Sequence, residues 1–136
     1  MPVLLVNAGA SVNLQDEYGW SPLINASQND HNQVVETLVN ADANVNLQNN
    51  DGWSALHGAS QNGHDQVIEM LLNVDANVNL QNNDGWSALH VASCHRHNQV
   101  VETLINAGAN VNLQNNYGES CLCVVCIMVM LKWYKL

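Results

Sequence analysis

Between Asn49 and Gln81 the apolar positions change spacing twice, and the same changes recur on either side at a fixed shift of 33 residues. In Ser54–Ser60 small and apolar residues stand at helical spacing, opened by a serine whose hydroxyl takes up a free N–H of the first turn. The matching slot one unit earlier reads Ser21-Pro22, and proline at the first helical position removes an N–H that would be unpaired anyway. Gln61-Asn62-Gly63-His64 predicts a turn. From Asp65 to Asn73, residues Val67, Ile68, Leu71 and Leu72 gather on one face, the pattern of a second amphipathic helix. Val78 and Leu80 then alternate with Asn77, Asn79 and Gln81, and Asn83-Asp84-Gly85 follows, which predicts a short extended segment running into a tight turn. Each unit thus reads helix, turn, helix, extended loop. Helices of two to three turns do not persist alone in water, so their stability has to come from stacking on neighbours.

The copies align without a gap: Trp20, Trp53 and Trp86 share one column, Leu23, Leu56 and Leu89 a second, His31, His64 and His97 a third. A period of this size predicts a repeat array with full units at 16–48, 49–81 and 82–114. Residues 1–15 match the back half of a unit, and 115–136 open as a fourth unit before changing character at CVVCIMVMLKWYKL. A terminal repeat is expected to present a polar outer face, and this segment does not. The two partial units make a second reading available, in which the chain is an inner segment of a longer scaffold that self-associates through uncapped ends.

The runs Gly-Trp-Ser-Ala-Leu-His, Ala-Ser-Gln-Asn-Gly-His, Val-Ile-Glu-Met-Leu-Leu and Asp-Ala-Asn-Val-Asn resemble the ankyrin repeat, over about residues 1 to 122. The resemblance implies an all-α solenoid of stacked helix-turn-helix units with hairpin-like loops, which binds other proteins through fingers and inner helices without catalysis. Departures from the pattern carry expectations of their own. Asp42 and Asp75 stand where Gly9 and Gly108 sit, after the second helix, at a position that often needs positive φ. Ile24 replaces the histidine of the first motif. His57 and His90, three residues after Ser54 and Ser87, are placed to bond back to the hydroxyl, and His31, His64 and His97 are expected as backbone-bonding spacers at the inter-helix turn.

Composition narrows the partner rather than the fold. With 47% apolar residues, only 5% aromatic ones and no Phe, the core must be layers of Leu, Val, Ile and Ala. The formal charge is -9, and Arg96, Lys132 and Lys135 are the only basic side chains. Phosphate backbones would be repelled, which excludes nucleic acid, whereas a protein with a basic surface is a complementary partner. The apolar run Cys121 to Leu131 falls short of the roughly 20 residues that span a bilayer, so no membrane span is expected. The start, MPVLLVNAGA, lacks a positive n-region, and Cys94, Cys121, Cys123 and Cys126 form no disulfide framework. A reducing cytoplasmic setting is expected, and Asn25-Ala26-Ser27 is then a chance match to the glycosylation sequon.

No cofactor and no enzyme activity is expected. A histidine repeated every 33 positions has no unique pocket, and there is no nucleophile–base pair or phosphate loop. Cys121, Cys123 and Cys126 with His95 and His97 lack the spaced knuckles of a zinc site. The candidate protein-binding residues are the column Trp20, Trp53 and Trp86, since tryptophan is enriched in interface hot spots. The same tryptophans equally suit packing against the stem of the next loop. Side chains that differ between units complete the list. They are Asn50 and Asn83 from the column headed by Glu17, Tyr18 with Asp51 and Asp84, Asn25 from the column it shares with Gly58 and Val91, and Asn62 and His95 from the column headed by Asn29.

Overall fold

The computed structural model describes residues 11–121, and these form six helices in three pairs. The first helices of the pairs are α1 (Pro22–Gln28), α3 (Ala55–Asn62) and α5 (Ala88–Cys94); the second helices are α2 (Asn32–Asn40), α4 (Asp65–Leu72) and α6 (Asn98–Asn106). Helices α1, α3 and α5 pack side by side in one row, and α2, α4 and α6 in a second row behind it. Leu23, Leu56 and Leu89 from the first row meet Val35, Leu38, Val67, Ile68, Leu71, Val100 and Leu104 from the second in one continuous buried core. The core consists of stacked layers, as the missing Phe requires.

Each first helix is opened by a buried serine, Ser21, Ser54 or Ser87. At Ser54 the hydroxyl accepts the His57 N–H, while the His57 ring reaches back to Ser54 at 2.8 Å from its Nδ1. The far side of that ring settles the tautomer. His57 Nε2 lies 2.8 Å from the Trp86 carbonyl, which can only accept, so Nε2 carries the proton and Nδ1 receives the Ser54 donors. His90 repeats the arrangement from Ser87 to the Glu119 carbonyl at 2.9 Å. Ile24 buries an apolar side chain instead, so the first unit keeps its cap but sends no such link to the second. His64 and His97 bridge backward as expected, from Nε2–H to the carbonyls of Gln28 and Gln61 at 3.0 and 2.8 Å.

Two local expectations are corrected. The predicted turn at Gln61-Asn62 is helical: the Asn62 amide donates to the carbonyls of Gly58 and Gln28, and the helix runs two residues further before Gly63 ends it at φ 73. The predicted extended segments are turns, with isolated bridges only at Gln48–Ser54 and Gln114–Ser120 among the described residues. Their backbone groups are satisfied by side-chain amides instead. Asn46 Oδ1 accepts the Asn77 N–H and Asn79 Oδ1 that of Asn110, each at 2.7 Å, while Gln48 Nε2 donates to the carbonyls of Gly52 and Gln81. The expectation at Asp42 and Asp75 holds: their φ values are 62 and 64, beside 91 at Gly108. Gly9 lies outside the described residues, as do most of the 1–15 half-unit and the apolar tail after Cys121.

Candidate functional site

The loops between units form four fingers, at Asp16–Trp20, Asn49–Trp53, Asn82–Trp86 and Asn115–Glu119. In each, one side-chain oxygen organises the tip: Asn49 Oδ1 accepts the N–H groups of Asp51 and Trp53, and Asn82 Oδ1 those of Asp84 and Trp86. The turn closes with the Gly52 N–H on the Asn49 carbonyl at 2.9 Å. Gly52 has φ 78, and a Cβ there would stand 2.6 Å from the backbone nitrogen of Asn83, so no other residue lets the fingers approach this closely.

Neighbouring fingers are laced together. Asn50 donates from Nδ2 to the Glu17 carbonyl at 3.1 Å, Asn83 to the Asn50 carbonyl at 2.8 Å and Asn116 to the Asn83 carbonyl at 2.9 Å. Their backbone N–H groups pair with the carbonyls of Tyr18, Asp51 and Asp84. Thus Asn50 and Asn83, although exposed, spend their amide donors on the fingers themselves. Asn62 does the same between helices, as described above.

The tryptophans are half-buried, and packing and exposure coexist in them. Trp53 stacks on the His57 ring with centroids 5.1 Å apart, and its indole N–H donates to Gln28 Oε1 at 3.2 Å. Trp86 meets the His90 ring edge-on at 5.4 Å. No bond equivalent to Trp53–Gln28 joins Trp86 to Gln61 among the described residues, and the column that varies between units gives the reason. Gly58 leaves room for Gln28, whose Cβ would lie 3.1 Å from any Cβ added there. One unit later Val91 stands buried in the place of that glycine, and its side chain would crowd a glutamine in the posture of Gln28.

A groove of about 290 Å³ opens at this second junction. Trp53 and Trp86 line it with Asn82 and Asp84 on the finger side, and Gln61, Val91, Cys94 and His95 on the helix side. Of the sequence candidates, Trp53, Trp86, Asp84 and His95 come together here. Tyr18 (64% exposed), Trp20, Asn25, Asn50, Asp51, Asn62 and Asn83 lie on the same succession of fingers and first helices but do not line the groove. Sequence reading missed Gln61, Asn82 and Cys94, although Cys94 differs from Gln28 and Gln61 in its own column and that contrast could have singled it out.

Burial holds the His57 imidazole below its ordinary value, partly offset by its bond to the Trp86 carbonyl, and the ring is fully engaged as a neutral link. Burial pushes the Cys121 thiol up, and its sulfur rests 3.8 Å from the Ser87 hydroxyl. His95 and His97 stack at 6.2 Å, and Cys123 and Cys126 lie outside the described residues. Among the described residues no three His, Cys, Asp or Glu side chains gather as a metal-binding group, and no helix is long and apolar enough to cross a membrane. Asp16 through Glu119 includes all twelve carboxylates, against Arg96 as the one Lys or Arg among the described residues.

A family model for ankyrin repeats matches the chain three times, over residues 2–82, 33–115 and 71–128. A search of curated proteins finds no match.

Proposed function

The chain belongs to the ankyrin repeat family, and from that premise we propose that it is a non-enzymatic module that binds a partner protein along its fingers and first helices. Ankyrin repeats are generally protein–protein interaction modules. The single observation that carries the reading here is the groove between the second and third fingers. It sets two half-buried indoles on a frame made rigid by finger-to-finger amide bonds. Rigid aromatic side chains around a concavity supply contact area at little cost in ordering entropy.

The surface fits a basic partner, because nearly every formal charge on it is negative. The test is to replace Trp53 and Trp86 by alanine together and to capture partners from lysate with the variant and the parent. With the helical spectrum intact, loss of a captured protein is the expected result. Unchanged capture by a folded variant would rule out the aromatic groove as the site.

A further inference from the structure

We propose that the groove between the second and third fingers receives one arginine side chain from an extended basic segment of the partner, with its guanidinium against the indoles of Trp53 and Trp86 and Asp84 as counter-ion. The inference rests on the protein-binding reading above and narrows it to a recognised group.

Size comes first. A volume of about 290 Å³ is at the floor of the range for small-molecule pockets and suits one long side chain. Charge comes second. Asp84 stands exposed at the finger tip with no hydrogen bond or ion pair to its carboxylate among the described residues, although its backbone is fixed by Asn82 and Asn116. A free carboxylate beside aromatic faces in an acidic surface selects a cation, since the ring quadrupole attracts positive charge over its face. Arg96, the chain's own cation in this region, does not line the groove.

Preorganisation is the third point. Trp53 is held at both ends, by the Gln28 carboxamide on its N–H and by the His57 ring on its face, so it presents a fixed wall. His95 adds an acceptor. Its Nδ1 lies 3.0 Å from the Val91 carbonyl and therefore donates, which in the neutral ring leaves the Nε2 lone pair for an incoming N–H. A planar, multiply donating and weakly hydrated group exploits this set better than a compact ammonium, which favours arginine over lysine. At the first junction Gln28 lies over Gly58, whereas at the second Val91 stands in the place of that glycine and lines the groove.

The experiment uses the full chain labelled with ¹⁵N and a glycine–serine peptide carrying spaced arginines, with citrulline and lysine versions beside it. The arginine peptide is expected to shift the indole N–H signals of Trp53 and Trp86 saturably and to leave Trp20 unmoved. Asp84→Asn should weaken this binding roughly tenfold, the scale of a hydrogen bond to a charged group. Glu69→Gln with Glu102→Gln, on the second helices, should change it by less than about twofold because solvent screens distant charges. Equal binding of the citrulline or lysine peptide would overturn the assignment, as would an equal effect of the Glu69 and Glu102 changes, or no saturable shift up to about a millimolar. If the proposal fails in these ways while the Trp53 and Trp86 double variant still loses its captured partner, the protein-binding reading stands without it. If capture is also unchanged, both fall.

Discussion

Replacing Ser27, Ser60 and Ser93 together by alanine should make the array more stable. These serines occupy one column of the first helices at relative exposures of 0%, 0% and 4%, and their hydroxyls have no hydrogen-bond partner among the described residues. A buried hydroxyl without a partner costs about 1–3 kcal/mol in lost hydration, and alanine is better than serine in a helix by a few tenths. Against this stands the small void that each missing oxygen leaves in the layers around Ala59 and Ala92. The net gain should be about 1 kcal/mol per site. The three sites lie in different repeats, so their effects should nearly add, to about 3 kcal/mol in all. At this chain length that corresponds to a rise in Tm of about 10 °C. Thermal and urea unfolding followed by circular dichroism give the answer, with the denaturant slope unchanged if only stability has moved. An unchanged or lower midpoint would refute the reasoning, since the hydroxyls must then be satisfied in the fold.

Three further outcomes follow from single positions. Asp75→Gly should stabilise the protein by up to about 1 kcal/mol, because Asp75 holds φ 64 where glycine pays no Cβ penalty, and the change is read from the urea midpoint. Gly63→Ala should cost about 2 kcal/mol or more, since the new Cβ would sit 2.8 Å from His97 Nδ1 while that ring is tied to the Gln61 carbonyl; an unaltered midpoint would count against the histidine bridge. Stability should also fall with acid through His57. Its folded value lies below its ordinary one of 6.5 because of burial, so the unfolded chain takes up the proton first. The stabilisation is complete above about pH 6.5 and is lost as pH drops below it, by at most about 1.4 kcal/mol per unit until the folded value is reached. His57→Asn should flatten that part of the profile relative to the parent, and identical slopes would place the effect elsewhere.

The fold was legible because it is written in columns. Leu23, Leu56 and Leu89 announce a shared environment, and Asp42 and Asp75 against Gly108 announce the left-handed helix ends later found there. Less legible was the traffic between repeats. Asn50 and Asn83 look like free polar tips in sequence, but their amides bridge fingers 33 residues apart, and which atom of which side chain crosses depends on finger geometry rather than on residue type. The run Gln61-Asn62 misled for the same reason, since the bonds that keep it helical reach back to Gly58 and across to Gln28. The groove was half legible. Trp53, Trp86, Asp84 and His95 stood out by repetition or by difference, whereas repetition alone does not say which junction opens. Nor does it show what the change from Gly58 to Val91 does, which is steric and appears only once Gln28 is seen lying over the glycine.

The rigid frame also defines what binding costs. Each finger is fixed by its own Asx turn and by amide bonds to the next, so under the proposed function a partner would meet a preformed surface and spend little ordering entropy at the encounter.

The most direct measurement is site-specific photocrosslinking in cells, with the crosslinking residue placed at position 84 on the third finger and, separately, at position 69 on the second helix of the middle pair. The expected result is a discrete protein adduct from position 84 that disappears when Trp53 and Trp86 are alanine, and none from position 69. Identical adducts from both positions, or an adduct from position 69 alone, would contradict a partner seated in the groove.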